Sequence, residues 1–342
     1  MSDASDDLEL LYRFPEELYI EDDGNEDFMD QTQRLMSMLA KFFKALIQFV
    51  KKHSNILHLR ALAIKQRLYF LQDKLANRNG LSGSDLTLKI TSNNDVFTVG
   101  QKSISKIMDL DREFQRYTTI INSVYDWIMN DVSYIVRQLN NILTQSFKSV
   151  DDMMDAIGRV IKAKGPERLA NSLRGAVDGQ GAVKTPTFMG SMKIVFTKPA
   201  KPMPSDLSLM TFKLEEVPSS KHAGGVFTRF PVAGARHLVT KLMDLCDRVR
   251  EIHSAPSIKA RLTDYQSLVD KLEVVGEERA RDNNLQGLNV TKFDQITDQI
   301  KTIMIWGSKT QDIFSAHALR TISTIAKLCR DNVKITANTS ID

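Results

Sequence analysis

Residues 34–55 read RLMSMLAKFFKALIQFVKKHSN, and the spacing of their apolar side chains decides the fold. Leu35, Leu39, Phe42, Leu46 and Phe49 alternate steps of four and three, the seam of a packed amphipathic helix. Met36, Phe43 and Val50 widen that stripe, while Lys41, Lys44, Lys51 and Lys52 fall mainly on the opposite face. After His53, Ser54 and Asn55 the alternation resumes at Leu57, Ala61, Ile64, Leu68, Leu71 and Leu75, and Gly80 in NRNG is a natural stop. With the polar triplet taken as a break, residues 31–80 are expected to form an antiparallel helical hairpin, apolar inside and basic outside.

Charge sharpens this picture. Residues 1–30 carry twelve acidic side chains and one basic one, Arg13, a net −11. Residues 31–78 reverse the sign with Arg34, Lys41, Lys44, Lys51, Lys52, Arg60, Lys65, Arg67, Lys74 and Arg78 against Asp73 alone, a net +9. The whole chain, at +4, hides this contrast. Such asymmetry points to an anionic partner, nucleic acid or a membrane surface. The competing reading is that these cations only solvate a helix face. The acidic segment, with LELLYRF and LYI as its apolar patches, is expected to act as an arm that buries too little to order by itself.

Farther along, residues 86–99 (LTLKITSNNDVFTV) alternate apolar and polar about a Ser-Asn-Asn-Asp turn, which predicts a β-hairpin. A helical stripe then runs from Ile104 to Ile142, as one long helix or as two with a break near Asn130. A short helix follows and stops at Gly165-Pro166. Gly and Pro gather between residues 166 and 234, with strand-like runs at 192–197 (MKIVFT) and 207–215 (LSLMTFKLE). Helical periodicity returns from residue 235 to near the end. The fold class expected is mostly α: a multi-helix bundle with long helices and a minor β element in the middle. Five segments follow from it, namely an acidic arm (1–30), the basic hairpin (31–80), a long-helix segment (81–165), the Gly/Pro-rich region (166–234) and a C-terminal helical segment (235–342).

Catalytic chemistry is not legible. The six histidines form no HExxH and no recurrent ligand spacing, so no metal is expected, His53 and His58 included. Cys246 and Cys329 match no zinc or CxxC spacing and lie on apolar helix faces, as buried free thiols would. In GAVDGQGAVKTP (175–186) Val183 stands where a phosphate-binding loop needs Gly before Lys-Ser/Thr, so a linker is expected there. No nucleophile elbow or kinase signature occurs. The apolar run 35–50 holds Lys41 and Lys44 and is shorter than the roughly 20 residues of a membrane span, and the acidic N-terminus lacks the basic start of a secretory signal. No enzyme activity, cofactor, small-molecule substrate or transmembrane segment is expected.

The order of these pieces resembles a family. An acidic arm precedes KFFKALIQFVKK (41–52), long helices follow, then the interlude SMKIVFTKPAKPMPSDLSLMTFKLE (191–215), and paired helices close with HALRTISTIAKLCRDNVK (317–334). The chain is similar in this respect to the internal head proteins, or virion structural proteins, of large tailed bacteriophages. The resemblance implies synthesis in the host cytoplasm, a place inside the capsid with packaged DNA and other virion proteins, ejection alongside the genome as an option, and no cofactor. Some such proteins lose a leader after Glu in a Leu/Ile-x-Glu motif, and here the match is Leu214-Glu215-Glu216, far from the arm. On residues alone, six to ten phosphate contacts are available to the basic face. Two rival readings stay open: a membrane-active helical protein that lays this face on anionic lipid, and a helical adaptor without nucleic-acid binding.

Overall fold

The computed structural model describes residues 28–76, 87–89, 94–145, 147, 150–173, 176–177, 183–197, 211–217, 226–281, 300–301, 304–305, 308 and 310–338. Its first element, α1 (Phe28–Ala76), is a single helix of 49 residues. The expected hairpin is therefore not formed. No Gly or Pro interrupts residues 53–55, and the apolar register runs straight through them, with buried Ser54 filling a core position between Val50 and Leu57. Beside it, the His53 ring packs on Phe49 with centroids 4.1 Å apart. A polar triplet without a helix breaker does not stop a helix whose stripe continues past it. The helix ends where the Arg236 guanidinium donates to the last carbonyls, Leu75 O at 2.8 Å and Ala76 O at 3.1 Å. Such groups otherwise lack partners at a helix C-terminus. Gly80 lies outside the described residues, as does the acidic arm up to residue 27.

The partners of α1 come from the far end of the chain. These are α6 (Val232–Ile252), α7 (Ala255–Arg281) and α8 (Gln311–Asn338). Phe43, Leu46, Leu57, Ala61 and Leu68 of α1 are fully buried against them. Within the expected C-terminal helical segment, residues 293–306 are described only at isolated positions, of which Ile300 and Met304 are buried.

Between α1 and α6 the chain forms α2 (Ile107–Asp126), a π-helical turn (Trp127–Val132) and α3 (Ser133–Ile142) without a break. The irregularity thus falls at Asn130 as an extra residue in the turn, not as an interruption. It turns Asp131 inward, where Lys164 and Arg168 each reach it at 3.1 Å. The Trp127 indole N–H donates to Lys164 O at 3.1 Å. These contacts dock α4 (Val150–Lys164) and α5 (Pro166–Ser172), the latter opening with Pro at its first position as Gly165-Pro166 implied.

The β structure is small. Strand β1 (Thr87–Lys89) does not turn back on its own neighbour. It pairs antiparallel with β8 (Val226–Thr228), Leu88 opposite Phe227, while β2 (Thr98–Val99) pairs with β3 (Lys102–Ser103) around Gly100 at φ 62°. Burial explains the difference from the expected hairpin. Phe227 meets Phe97 edge to face at 4.8 Å, and a local hairpin would leave it without that aromatic partner. A four-stranded sheet runs β4 (Ala176–Val177), β5 (Val183–Lys184), β6 (Met192–Thr197) and β7 (Thr211–Glu216), with Ile194 opposite Leu214. Both strands expected in the middle region are present, although residues 207–210 lie outside the described set. Thr185 accepts from Ile194 N through its hydroxyl at 2.8 Å, so Lys184-Thr185 serves the sheet. Leu214-Glu215-Glu216 lies within β7.

One turn joins sheet to bundle. Gly190 at φ 79° and Ser191 at φ 53° occupy left-handed backbone. There the Ser191 hydroxyl reaches Thr98 Oγ1 at 2.7 Å and Gly100 O at 3.1 Å. A Cβ on Gly190 would stand 2.7 Å from His317 Nε2. Gly190→Ala combines left-handed strain with that clash and is expected to destabilise the protein by roughly 2–4 kcal/mol. A urea midpoint within error of the parent would refute this account of the turn.

Candidate nucleic-acid interface and an adjoining polar cleft

The ten cations singled out in the sequence separate into distinct environments. Lys41, Lys51, Lys52, Arg67 and Lys74 are exposed on α1 and form no ion pair with the described residues. At 100° per residue, Lys41, Lys52, Arg67 and Lys74 share an outward arc of about 80° and span about 50 Å of helix. Lys44 is exposed but donates to Glu273 of α7 at 2.6 Å. Lys65 is buried, and its ammonium donates to Asp247 of α6 and lies 5.4 Å from the centre of the Tyr69 ring. That bond to Asp247 raises the Lys65 pKa, against the opposing effect of burial. Arg60 is half-buried and already engaged. Arg34 lies on α1, its side chain outside the described set, and Arg78 lies beyond the described residues. Two members of the predicted face are thus paired within the fold, Lys65 with α6 at a buried position and Lys44 with α7 at the surface.

The same outward arc carries Ile56, Leu59, Ala63 and Phe70, and Phe70 is 73% exposed. These residues continue the four–three spacing on the side facing away from the core. The result is a mixed stripe in which Lys52, Arg67 and Lys74 alternate with apolar side chains. The apolar neighbours of these cations are visible in the sequence at the same spacing.

The inner side of α1 meets a feature the sequence did not disclose. Around α8, buried polar groups converge from four elements. His53 Nδ1 of α1 stands 3.5 Å from Asp312, and Arg261 of α7 donates to Gln311. His253, at the end of α6, lies 2.8 Å from Ser315 Oγ through Nε2, and Tyr125 of α2 reaches the same oxygen at 2.8 Å. Tyr117 meets His317 Nδ1 at 2.7 Å. Burial pushes Asp312 above the ordinary carboxylate range, opposed by His53 and Arg261. Burial also holds His253 down at about 3, helped by Arg261 and His58, and His317 at about 4, helped by Arg320. Both cysteines are free and buried, with burial pushing Cys246 up to about 11 and Cys329 up to about 12. Neither thiol is poised as a nucleophile at neutral pH.

Beside this seam a cleft of about 550 Å³ opens between α1 and α7, lined by Lys51, Ser54, His58 and Lys259 among others, with His253 in its wall. His58 Nδ1 donates to Arg250 O at 3.4 Å. Among the described residues, no group of His, Cys, Asp and Glu is placed to hold a metal ion, and no helix is long and apolar enough to cross a membrane.

The buried imidazoles set a pH response. Their folded pKa values lie below the ordinary 6.5, so from about pH 6.5 down to about 4 the unfolded chain binds protons that the folded one does not. Stability is complete above that window and falls within it, on the order of a few kcal/mol per histidine. Asp312 acts in the opposite sense, because the folded state takes up its proton first. The urea midpoint is expected to drop between about pH 7 and about pH 4.5, and His317→Asn to flatten the drop. An unchanged midpoint across that interval would mean these imidazoles are not held neutral by burial.

In comparisons with family models, with curated proteins and with solved structures, the chain has no match.

Proposed function

We propose that this protein is a non-enzymatic structural component of a bacteriophage virion, located inside the capsid, that associates non-specifically with packaged DNA through the outward face of α1. One observation carries the reading. Exposed cations are spread over about 50 Å of one continuous helix, a length that spans some fifteen base pairs at about 3.4 Å each. The resemblance in the order of acidic arm, basic helix, β interlude and closing helices supports the capsid location. Other virion proteins are the partners it implies.

The exposure of each side chain revises the number of contacts. With Lys44 and Lys65 committed to ion pairs, Arg60 engaged and Lys51 turned toward α7, the outward arc offers four exposed cations, below the six to ten counted on residues alone. Four phosphates give a log–log salt slope of about −3.6, or about a 150-fold loss of affinity between 50 and 200 mM salt. The acidic arm, at −11, competes for the same cations from a tether.

A second reading has its own observation. Ile56, Leu59 and Phe70 stand exposed within the cationic arc, an arrangement that also suits the surface of an anionic bilayer. A helical adaptor would instead use this stripe against protein. Fluorescence anisotropy with a duplex of arbitrary sequence and flotation with phosphatidylglycerol vesicles, at matched salt, separate these readings. Lys52→Glu with Arg67→Glu and Lys74→Glu is expected to weaken duplex binding by about 100-fold or more at low salt, and removal of residues 1–27 to tighten it. Salt-insensitive binding, or retention on vesicles alone, would overturn the DNA reading.

A further inference from the structure

The cleft between α1 and α7 has a chemistry distinct from the outward stripe. Lys51 and His58 come from α1, and Lys259 and Thr263 from the first turns of α7. No Asp or Glu stands among the described residues that line it. The α7 helix begins at its rim, at Ala255, so the positive end of the helix dipole adds to the field of the two lysines. Ile47, Ile258 and Leu262 supply an apolar side. The volume, about 550 Å³, falls in the range of small-molecule sites, about 300–1,000 Å³.

The decisive group is His253. It is 2% exposed, it forms part of the cleft wall, and its Nδ1 has no hydrogen-bond partner among the described residues. Burial keeps the Tyr125 phenol protonated, and Ser315 Oγ lies 2.8 Å from both the phenol oxygen and His253 Nε2. Where the Ser315 hydroxyl donates to Nε2, the neutral imidazole carries its hydrogen on Nδ1. A buried ring nitrogen without a partner costs free energy that a ligand oxygen at Nδ1 would recover.

We propose that this cleft binds a small amphiphilic oxyanion: a phosphate or carboxylate group held by Lys51 and Lys259 and met by a His253 imidazole that carries its hydrogen on Nδ1 and turns it to the cleft, with a compact apolar body lying over Ile47, Ile258 and Leu262. The site is separate from the outward stripe, since Lys259, Thr263 and His253 belong to other elements and Lys51 lies outside the arc of Lys41, Lys52, Arg67 and Lys74. Occupancy would bridge α1 to α7 at the level of the buried seam.

Calorimetric titration of the full chain with phenyl phosphate and with phenol, at constant ionic strength, tests the proposal. Phenyl phosphate is expected to bind at one site, and phenol at least about tenfold more weakly. Lys259→Glu, at an exposed position that leaves the core untouched, is expected to weaken phenyl phosphate by about tenfold or more, whereas Lys74→Glu, an equal change of charge far along α1, leaves it unaltered. The side-chain ¹⁵Nδ1 resonance of His253 should shift on binding in the parent. Phosphatidic acid vesicles added to the complex displace phenyl phosphate if a lipid head group is the natural source, and leave it bound if the source is soluble; either outcome keeps the site. Equal affinity for phenol, equal loss in the two charge variants, or a static His253 signal would each overturn it. Because Lys259 lies off the stripe, duplex binding that survives Lys259→Glu separates failure here from failure of the DNA reading.

Discussion

A central helix whose buried surface is polar constrains everything around it. No residue of α8 between Gln311 and Cys329 is exposed, yet Gln311, Asp312, Ser315, His317 and Thr321 all lie in that interior. Each polar group removed from water needs a partner, or it costs on the order of 1–3 kcal/mol, and more if charged. The partners come from every neighbour: His53 from α1, Tyr117 and Tyr125 from α2, His253 from the end of α6, Arg261 from α7. An apolar seam tolerates sliding by a turn. This one does not, because a shift of one helix along α8 would strand Asp312 or Arg261 without its counterpart.

With α8 as axis, the role of α1 follows. Its first half is buried on a broad side, by α7 and α8, and its second half keeps a narrower stripe against α6. Lys44–Glu273 and Lys65–Asp247 fix its rotation at two heights. Because Lys65 is buried, its partnership is a matter of the fold; Lys44–Glu273 is solvated and contributes little stability. The outward residues are those left over once packing and pairing are satisfied. That is why the outward stripe mixes Lys52, Arg67 and Lys74 with Ile56, Leu59 and Phe70 and is not a uniform basic strip.

Much of this was readable from spacing alone. The stripes of α1, α2, α6 and α7 are periodic enough that their buried residues match the pattern, and Gly165-Pro166 marks a true boundary. Three features were not readable, for physical reasons. Residues 53–55 look like a loop because polar side chains usually face water, but Ser54 is small enough for a core position and His53 finds a carboxylate from a helix more than 250 residues away. Strand β1 has three residues, too few to encode a partner, and its choice of β8 depends on where Phe227 must pack. The polar residues of α8 resemble a solvated face in one dimension, and only the surrounding helices show that α8 has no such face. The cleft depends on the same tertiary placement, since Lys51 and Lys259 come together only when α7 lies along α1.

The length of α1 has a consequence for synthesis. Its stripe is complete once Ala76 has left the ribosome, but the helices that cover it begin at Val232, roughly 150 residues later, which is roughly ten to thirty seconds at ordinary elongation rates. Throughout that interval Phe42, Phe43, Leu46 and Phe49 lack the α6, α7 and α8 surface that covers α1. A nascent chain in that state is prone to self-association, and the like charge of residues 1–30 on every copy opposes it.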